Sequence, residues 1–151
     1  AIGARFDDTS PTVRGKLIRE RLLCEGIAAP PANLMVNIDD PPAGSGSPCK
    51  WDRYADQRAT SATCRGCHEM TDLVGFGLEN YDAQGRFRTH DRDRQTGQSI
   101  TACPIEGRGE FIEMGTFRGS GGLADLLVAQ SERVSACAIA QMYRLAAGHY
   151  H

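Results

Sequence analysis

The sequence predicts a mainly α-helical fold. Three observations carry that expectation. Apolar residues recur at helical spacing near both ends of the chain, as Val13, Leu17, Ile18, Leu22 and Leu23, and again as Val134, Cys137, Ala138, Met142, Leu145 and Ala146. Two proline clusters exclude helix from one long stretch between them. The chain has 151 residues, 40% of them hydrophobic and 24% charged, enough to bury one core, so residues 1–151 are expected to form a single domain.

The first helix opens at Ser10-Pro11, a serine N-cap followed by proline at the first helical position. It should end near Cys24-Glu25-Gly26, with Gly15 weakening it slightly. The proline-rich segments A-A-P-P-A-N (28–33) and D-D-P-P-A-G-S-G-S-P (39–48) make residues 27–48 a long extended loop crossing the body. A second helix covers roughly 49–60 and includes Trp51, Tyr54, Ala55 and Arg58. A short helical turn then carries C-R-G-C-H (64–68). Residues 75–91 read as a glycine-hinged loop, one helical turn, a tight turn at Gly85 and a strand from Arg86 to Thr89. Short strands follow at Ser99–Ile105 and Glu110–Ile112. Leu123, Leu126, Leu127 and Val128 mark a helix ending near Gln130-Ser131, and the last helix stops at Gly148. Gly75 and Gly77 do not form a nucleotide loop, because they do not join a buried strand to a long helix.

The chemistry concentrates in C-x-x-C-H. On a helical turn Cys64 and Cys67 share a face, and His68 lies one turn after Cys64. Two thiols on one edge can add to the two vinyl groups of a haem while the histidine reaches the iron, which is why this spacing serves c-type attachment. The spacers Arg65 and Gly66 are free to face outward. Zinc would need a fourth ligand, and adjacent Cys67 and His68 do not easily reach one small ion. A dithiol redox motif would follow a strand in a β-α-β unit, which the pattern lacks. A structural disulfide or a chance match is the remaining alternative. The expected cofactor is therefore one covalently attached haem c, with His68 as the proximal iron ligand.

The distal face has several candidates. Met70 follows His68 too closely to reach the opposite side and reads as packing. Met142 falls in the apolar stripe of the last helix and reads as core. Met35 lies in the proline-rich crossing. His149 and His151 sit at a terminus, where solvation is the default. His90 follows the expected strand at 86–89. Met114, in the loop-like F-I-E-M-G-T-F (111–117), is the first choice for distal ligand. An open iron is the alternative. Trp51 and Tyr54 read equally as core or as haem contacts. Arg86, Arg88, Arg92 and Arg94 read as a solvated face, with a docking patch for a redox partner as the sharper option. E-N-Y-D (79–82) reads as capping and turn formation.

The net charge of −2 gives no pull toward nucleic acid or anionic lipid, and no apolar run approaches a membrane span. The first residues lack the basic and apolar regions of a signal peptide, so a removed leader or a parent chain is expected. Six cysteines minus Cys64 and Cys67 leave Cys24, Cys49, Cys103 and Cys137, an even set that fits two disulfides and an oxidising compartment. Of the three connectivities, Cys24–Cys49 with Cys103–Cys137 is preferred because each closes a local loop.

Several stretches together resemble a known family. They are S-P-T-V-R-G-K-L-I-R-E-R-L-L (10–23), C-x-x-C-H-x-x-x-D-x-x-G-F-G-L-E-N-Y-D-A-x-G-R-F-R-T (64–89), F-R-G-S-G-G-L-A-D-L-L (117–127), S-x-x-V-x-A-C and a final A-x-G (131–148). In order and spacing they are similar to the cytochrome-c-like C-terminal region of large secreted planctomycete and myxobacterial proteins, largely domains of unknown function. The resemblance implies that Cys64, Cys67 and His68 are the haem-binding motif and that other domains precede this one in a parent protein. Family members often carry M-D-P-I-G-F, where this chain has Thr71-Asp72-Leu73-Val74-Gly75-Phe76, so no methionine ligand carries over from that position.

The combined expectation is a cytochrome-c-like helical domain with a long proline-rich crossing loop and a small β-hairpin or irregular insertion. Its function would be single-electron transfer, in the periplasm or outside the cell, between redox partner proteins, other domains of its parent or subunits of a larger complex. An enzyme module with an open distal site, the haem domain of a larger dehydrogenase or oxidase, and a binding module with a structural haem are the rivals.

Overall fold

A computed structural model describes residues 4–5, 8–29, 46–59 and 62–148. Most of the proline-rich crossing, Met35, His149 and His151 lie outside the described residues. The elements run β1 (Ala4–Arg5), β2 (Asp8–Thr9), α1 (Pro11–Leu22), α2 (Lys50–Ala59), α3 (Ala62–Phe76), β3 (His90–Arg92), β4 (Ser99–Pro104), β5 (Arg108–Phe111), β6 (Gly115–Arg118), α4 (Gly119–Ala129) and α5 (Ser131–Ala146). About half of the described chain is helical, and the strands pair only as antiparallel twos: β1 with β2, β3 with β4, β5 with β6.

The start of α1 follows the sequence rules. Ser10 is extended, and its Oγ accepts from the Val13 N–H while Pro11 occupies the first turn. The buried face of α1 differs from the expected apolar stripe. Arg14, Gly15, Ile18 and Arg19 are buried, and Leu22 is exposed. The reason lies in the crossing with α3. A Cβ on Gly15 would sit 1.8 Å from the Thr71 carbonyl oxygen, and one on Gly75 would sit 1.9 Å from that of Pro11. The two helices therefore run antiparallel, backbone against backbone, and α1 is rotated to make that contact. Gly15 is thus required by packing, not merely tolerated.

The core lies beside this crossing. Ile18 and Leu23 from the α1 end, Val74 of α3, Phe111 of β5, Phe117 of β6 and Leu123 of α4 form one buried cluster, with Leu78, Met114, Leu126, Leu127 and Val134 packed against it. Phe117 fills the space left by Gly77 and Gly109, where a Cβ would clash with its ring at 2.2 Å in each case.

Beneath β2, a buried ion network takes the place of apolar packing. Glu79, 1% exposed, accepts hydrogen bonds from Thr9 Oγ1 (2.6 Å), Arg88 Nη2 (2.8 Å), Arg14 Nη1 (2.9 Å) and Lys50 Nζ (3.1 Å). Lys50 Nζ also reaches Asp8 Oδ1 at 2.7 Å. Each of these buried charges has an opposite partner, the condition under which burial is tolerated. E-N-Y-D is thus only partly a turn motif. Asp82 does accept the Gln84 and Arg86 N–H groups at 2.9 Å, but Glu79 is the hub of the network. The basic run divides likewise: Arg88 is buried in the network, Arg86 pairs with Asp82, and Arg92 is exposed.

Other expectations need correction. Residues 86–89 form no strand. Phe87 makes a single bridge to Tyr81, Arg88 donates its N–H to Asn80 at 2.7 Å, and the first strand of this region is β3, one step later. The backbone there closes back onto 80–82 instead of laddering. The 111–117 segment is not all loop: Phe111 ends β5, and Gly115 begins β6. Met142 is not core but 70% exposed. α5 is held through Val134, Cys137 and Gln141, and Tyr143 and Leu145 of its last turns also face outward.

There are two disulfides, as the cysteine count predicts, but the preferred pairing is overturned. Cys24 bonds Cys137, and Cys49 bonds Cys103, with Cα separations of 5.3 and 5.2 Å. Sequence proximity favoured local loops. Tertiary packing instead lays the end of α1 against the middle of α5, and the entrance of α2 against β4.

Candidate functional site

The C-x-x-C-H segment sits in the first two turns of α3, a helix of 15 residues where a single turn was expected. Helical geometry therefore fixes the relation among the three side chains. Cys64, Cys67 and His68 are half-buried, while the spacers Arg65 and Gly66 are exposed, so the motif presents one edge and turns its spacers to water. Both thiols stand outside the two disulfides. The Cys67 carbonyl accepts from Thr71 Oγ1 at 3.0 Å.

His68 is held by a carboxylate. Its Nδ1 lies 3.1 Å from both oxygens of Asp72, one turn on. Asp72 is fully buried and gathers donors from other helices: Thr12 Oγ1 of α1 at 2.6 Å and Arg58 Nη1 of α2 at 3.3 Å. With Nδ1 engaged by the carboxyl of Asp72, Nε2 is the ring nitrogen left for another partner. Arg58 in turn lies over the Trp51 ring, 5.3 Å from its centroid. The ring's orientation is thus set by contacts that span α1, α2 and α3.

This geometry bears on which groups the edge can hold. Among the described residues no set of three or more His, Cys, Asp or Glu side chains converges for a metal ion, so Cys64, Cys67 and His68 do not form a zinc-type cluster. The segment follows helix α2, not a strand, unlike a dithiol redox motif. Two thiols on one helical edge beside an imidazole with its Nε2 available do fit the donor chemistry of covalent haem attachment.

The other sequence candidates fall in different places. Met114 lies in the β5–β6 turn, its side chain half-buried against the hydrophobic cluster. That turn is tied to α3: Arg19 donates to the Met70 carbonyl at 2.7 Å and to Glu113 Oε1 at 2.9 Å. The hydrogen bonds and charge of Glu113 and Glu25 raise the pKa of Arg19 despite its burial, which opposes the charge. The Arg19 hydrogen bond in turn holds Glu113 below the ordinary glutamate value. His90 begins β3, its Nδ1 3.0 Å from Thr89 Oγ1. Trp51 and Tyr54 both pack edge-on against Phe76, at 4.8 and 5.5 Å, and burial pushes the Tyr54 phenol upward.

Sequence reasoning missed Asp72 as a site residue, although an aspartate four positions after a helical histidine was readable as a same-face partner. It also missed Arg58 and Thr12, which reach Asp72 only through the tertiary fold. A separate cavity of about 410 Å³, lined by Trp51, Asp52, Phe76, Glu79, Asp91 and Arg108 among others, opens at the far end of α3. Phe76 is eight residues beyond His68, roughly 12 Å along the helix axis. Burial there raises the Asp91 carboxyl, opposed by the hydrogen bond from the Lys50 N–H.

A protein-family model, described as PSCyt3: Protein of unknown function (DUF1588), matches residues 1–91, which include the whole of α1, α2 and α3. No curated protein and no solved structure matches the chain.

Proposed function

The chain belongs to the PSCyt3 family of proteins of unknown function, and from that premise we propose that it is a mono-haem c-type cytochrome domain carrying single electrons outside the cytoplasm. The observation that carries the reading is the edge formed by Cys64, Cys67 and His68, with Nδ1 of His68 engaged by Asp72. The family's name, which refers to a cytochrome-like domain, agrees with it. Cys64 and Cys67 would hold the haem through thioether bonds, and His68 would be the proximal ligand. When bound, the haem supplies a one-electron iron couple.

The chain's own residues supply position. Asp72 fixes the imidazole, Thr12 and Arg58 fix Asp72, and the backbone contact of α1 with α3 keeps the motif rigid against its neighbours. Met114 is the proposed distal ligand, supported by the Arg19 link between its turn and α3. One observation favours the second reading, an enzyme module with an open iron: the Met114 side chain packs on the hydrophobic cluster. The two disulfides point away from a reducing cytosol, and no helix among the described residues is long and apolar enough to cross a membrane. The proposed setting is the periplasm or the cell exterior, and the proposed partners are redox proteins or other domains of a parent chain.

The test is production in a periplasm equipped for haem attachment. The denatured protein should carry the mass of one haem, lost in the Cys64→Ala/Cys67→Ala variant. An unmodified mass would sink the reading. The reduced protein should show sharp low-spin α and β bands, and Met114→Ala should abolish them. Low-spin bands surviving in that variant would remove Met114 as ligand. A high-spin spectrum that responds to carbon monoxide in the unaltered protein would select the enzyme module.

A further inference from the structure

We propose that Asp72 is a positioning residue that sets the reduction potential at His68; this rests on the cytochrome reading above. The carboxylate is 0% exposed and lies 3.1 Å from Nδ1. A buried carboxylate accepting from Nδ1 makes the ring more basic and Nε2 a stronger donor, as outer-shell carboxylates do for metal-bound histidines. A stronger donor favours the oxidised iron, so Asp72 holds the potential down.

The strength of that effect is adjustable, because His68 shares Asp72 with Thr71 Oγ1 at 3.5 Å and with donors from two other helices. Thr12 Oγ1 at 2.6 Å makes the shortest of these bonds, and Arg58 Nη1 stands at 3.3 Å. Each draws negative charge away from His68. Two substitutions at one network should therefore move the potential in opposite directions. Asp72→Asn keeps the shape and removes the charge, so the potential rises. Thr12→Val keeps the volume and removes the competing donor, so more of the charge falls on His68 and the potential drops. Simple loosening of the site would move both variants the same way.

Redox titration of the haem-loaded protein reads the effect directly. In Asp72→Asn the ratio of reduced to oxidised protein at fixed ambient potential should rise at least tenfold, equivalent to about 59 mV for one electron. In Thr12→Val it should fall. An unchanged potential in Asp72→Asn, or shifts of the same sign in both variants, overturns the proposal and leaves the cytochrome reading standing. A denatured mass without haem overturns both, through a separate readout. A third measurement needs no haem: ¹⁵N NMR of the apo protein should show His68 protonated at Nδ1 and bare at Nε2. A proton on Nε2 instead overturns the proposal, even if Asp72→Asn fails to fold.

Discussion

Gly75 of α3 and Gly15 of α1 show how much one absent methyl group can decide. Each lies where a Cβ would come within 2 Å of the other helix's backbone oxygen, and backbone cannot swing aside as a side chain can. Gly75→Ala should therefore cost about 3 kcal/mol, the upper end of the usual overpacking range. Urea denaturation measures it, and an unchanged midpoint would show that the crossing is looser than described. In the sequence, Gly15 looked only like a mild helix defect. Nothing in its neighbours announced a partner helix sixty residues away. Asp72 was half legible. Its helical offset from His68 could be read from the sequence, but its burial and its bonds to Thr12 and Arg58 could not.

The elements were read unevenly, for identifiable reasons. α1 and α2 emerge close to their expected bounds, and α4 and α5 close to their expected ends; at α1 the Ser10 cap with Pro11, and after α5 the positive φ of Gly148, act through local backbone chemistry. α3 was undercounted. Its apolar positions are interrupted by Arg65, Gly66, Glu69 and Asp72, and Asp72 is buried because it is bonded, not because it is apolar. The β5–β6 hairpin was read largely as loop, yet it is fastened to α1 by Arg19 and Glu113. That link gives a pH dependence. The Arg19 hydrogen bond lowers the Glu113 pKa in the folded state below the ordinary value of 4.5. The folded protein thus binds that proton less readily than the unfolded chain. The stabilisation is fully present above the unfolded value and is lost as pH falls through the folded one. Glu113→Gln lacks it throughout. The stability gap between the two proteins should be open at pH 7 and narrow below pH 4.5. Glu113 is half-exposed, so the gap should be small and shrink in salt. A gap that widens in acid would show that the ion pair does not stabilise the fold.

At the scale of the molecule, the disulfides join parts that the sequence keeps far apart. Cys24 and Cys137 are separated by 113 positions, and the bond fastens the end of α1 to α5. Cys24 also holds φ +53°, a left-handed conformation uncommon outside glycine and asparagine. Closing so long a loop restricts the unfolded chain, so replacing both cysteines by serine should lower stability by about 2–5 kcal/mol. Thermal or urea unfolding measures the loss. A stability like the unaltered protein's would show that α5 is held well enough by Val134 and Gln141. The apolar side chains of Ile139, Met142, Tyr143 and Leu145 remain exposed along α5. This explains why an amphipathic pattern misread Met142 as core: periodicity identifies an apolar face but not whether anything packs on it.

The sequence by itself determined the start of α1, the number of disulfides and the edge shared by Cys64, Cys67 and His68. All of these depend on residues within a turn or two of each other, or on a count. Only the tertiary structure decided the disulfide partners, the buried Glu79 network, the contact of Gly15 with α3 and the anchoring of His68 through Asp72 to Thr12 and Arg58. Those arise where distant segments exclude water together, so that a charge is buried only if its partner arrives from elsewhere in the chain.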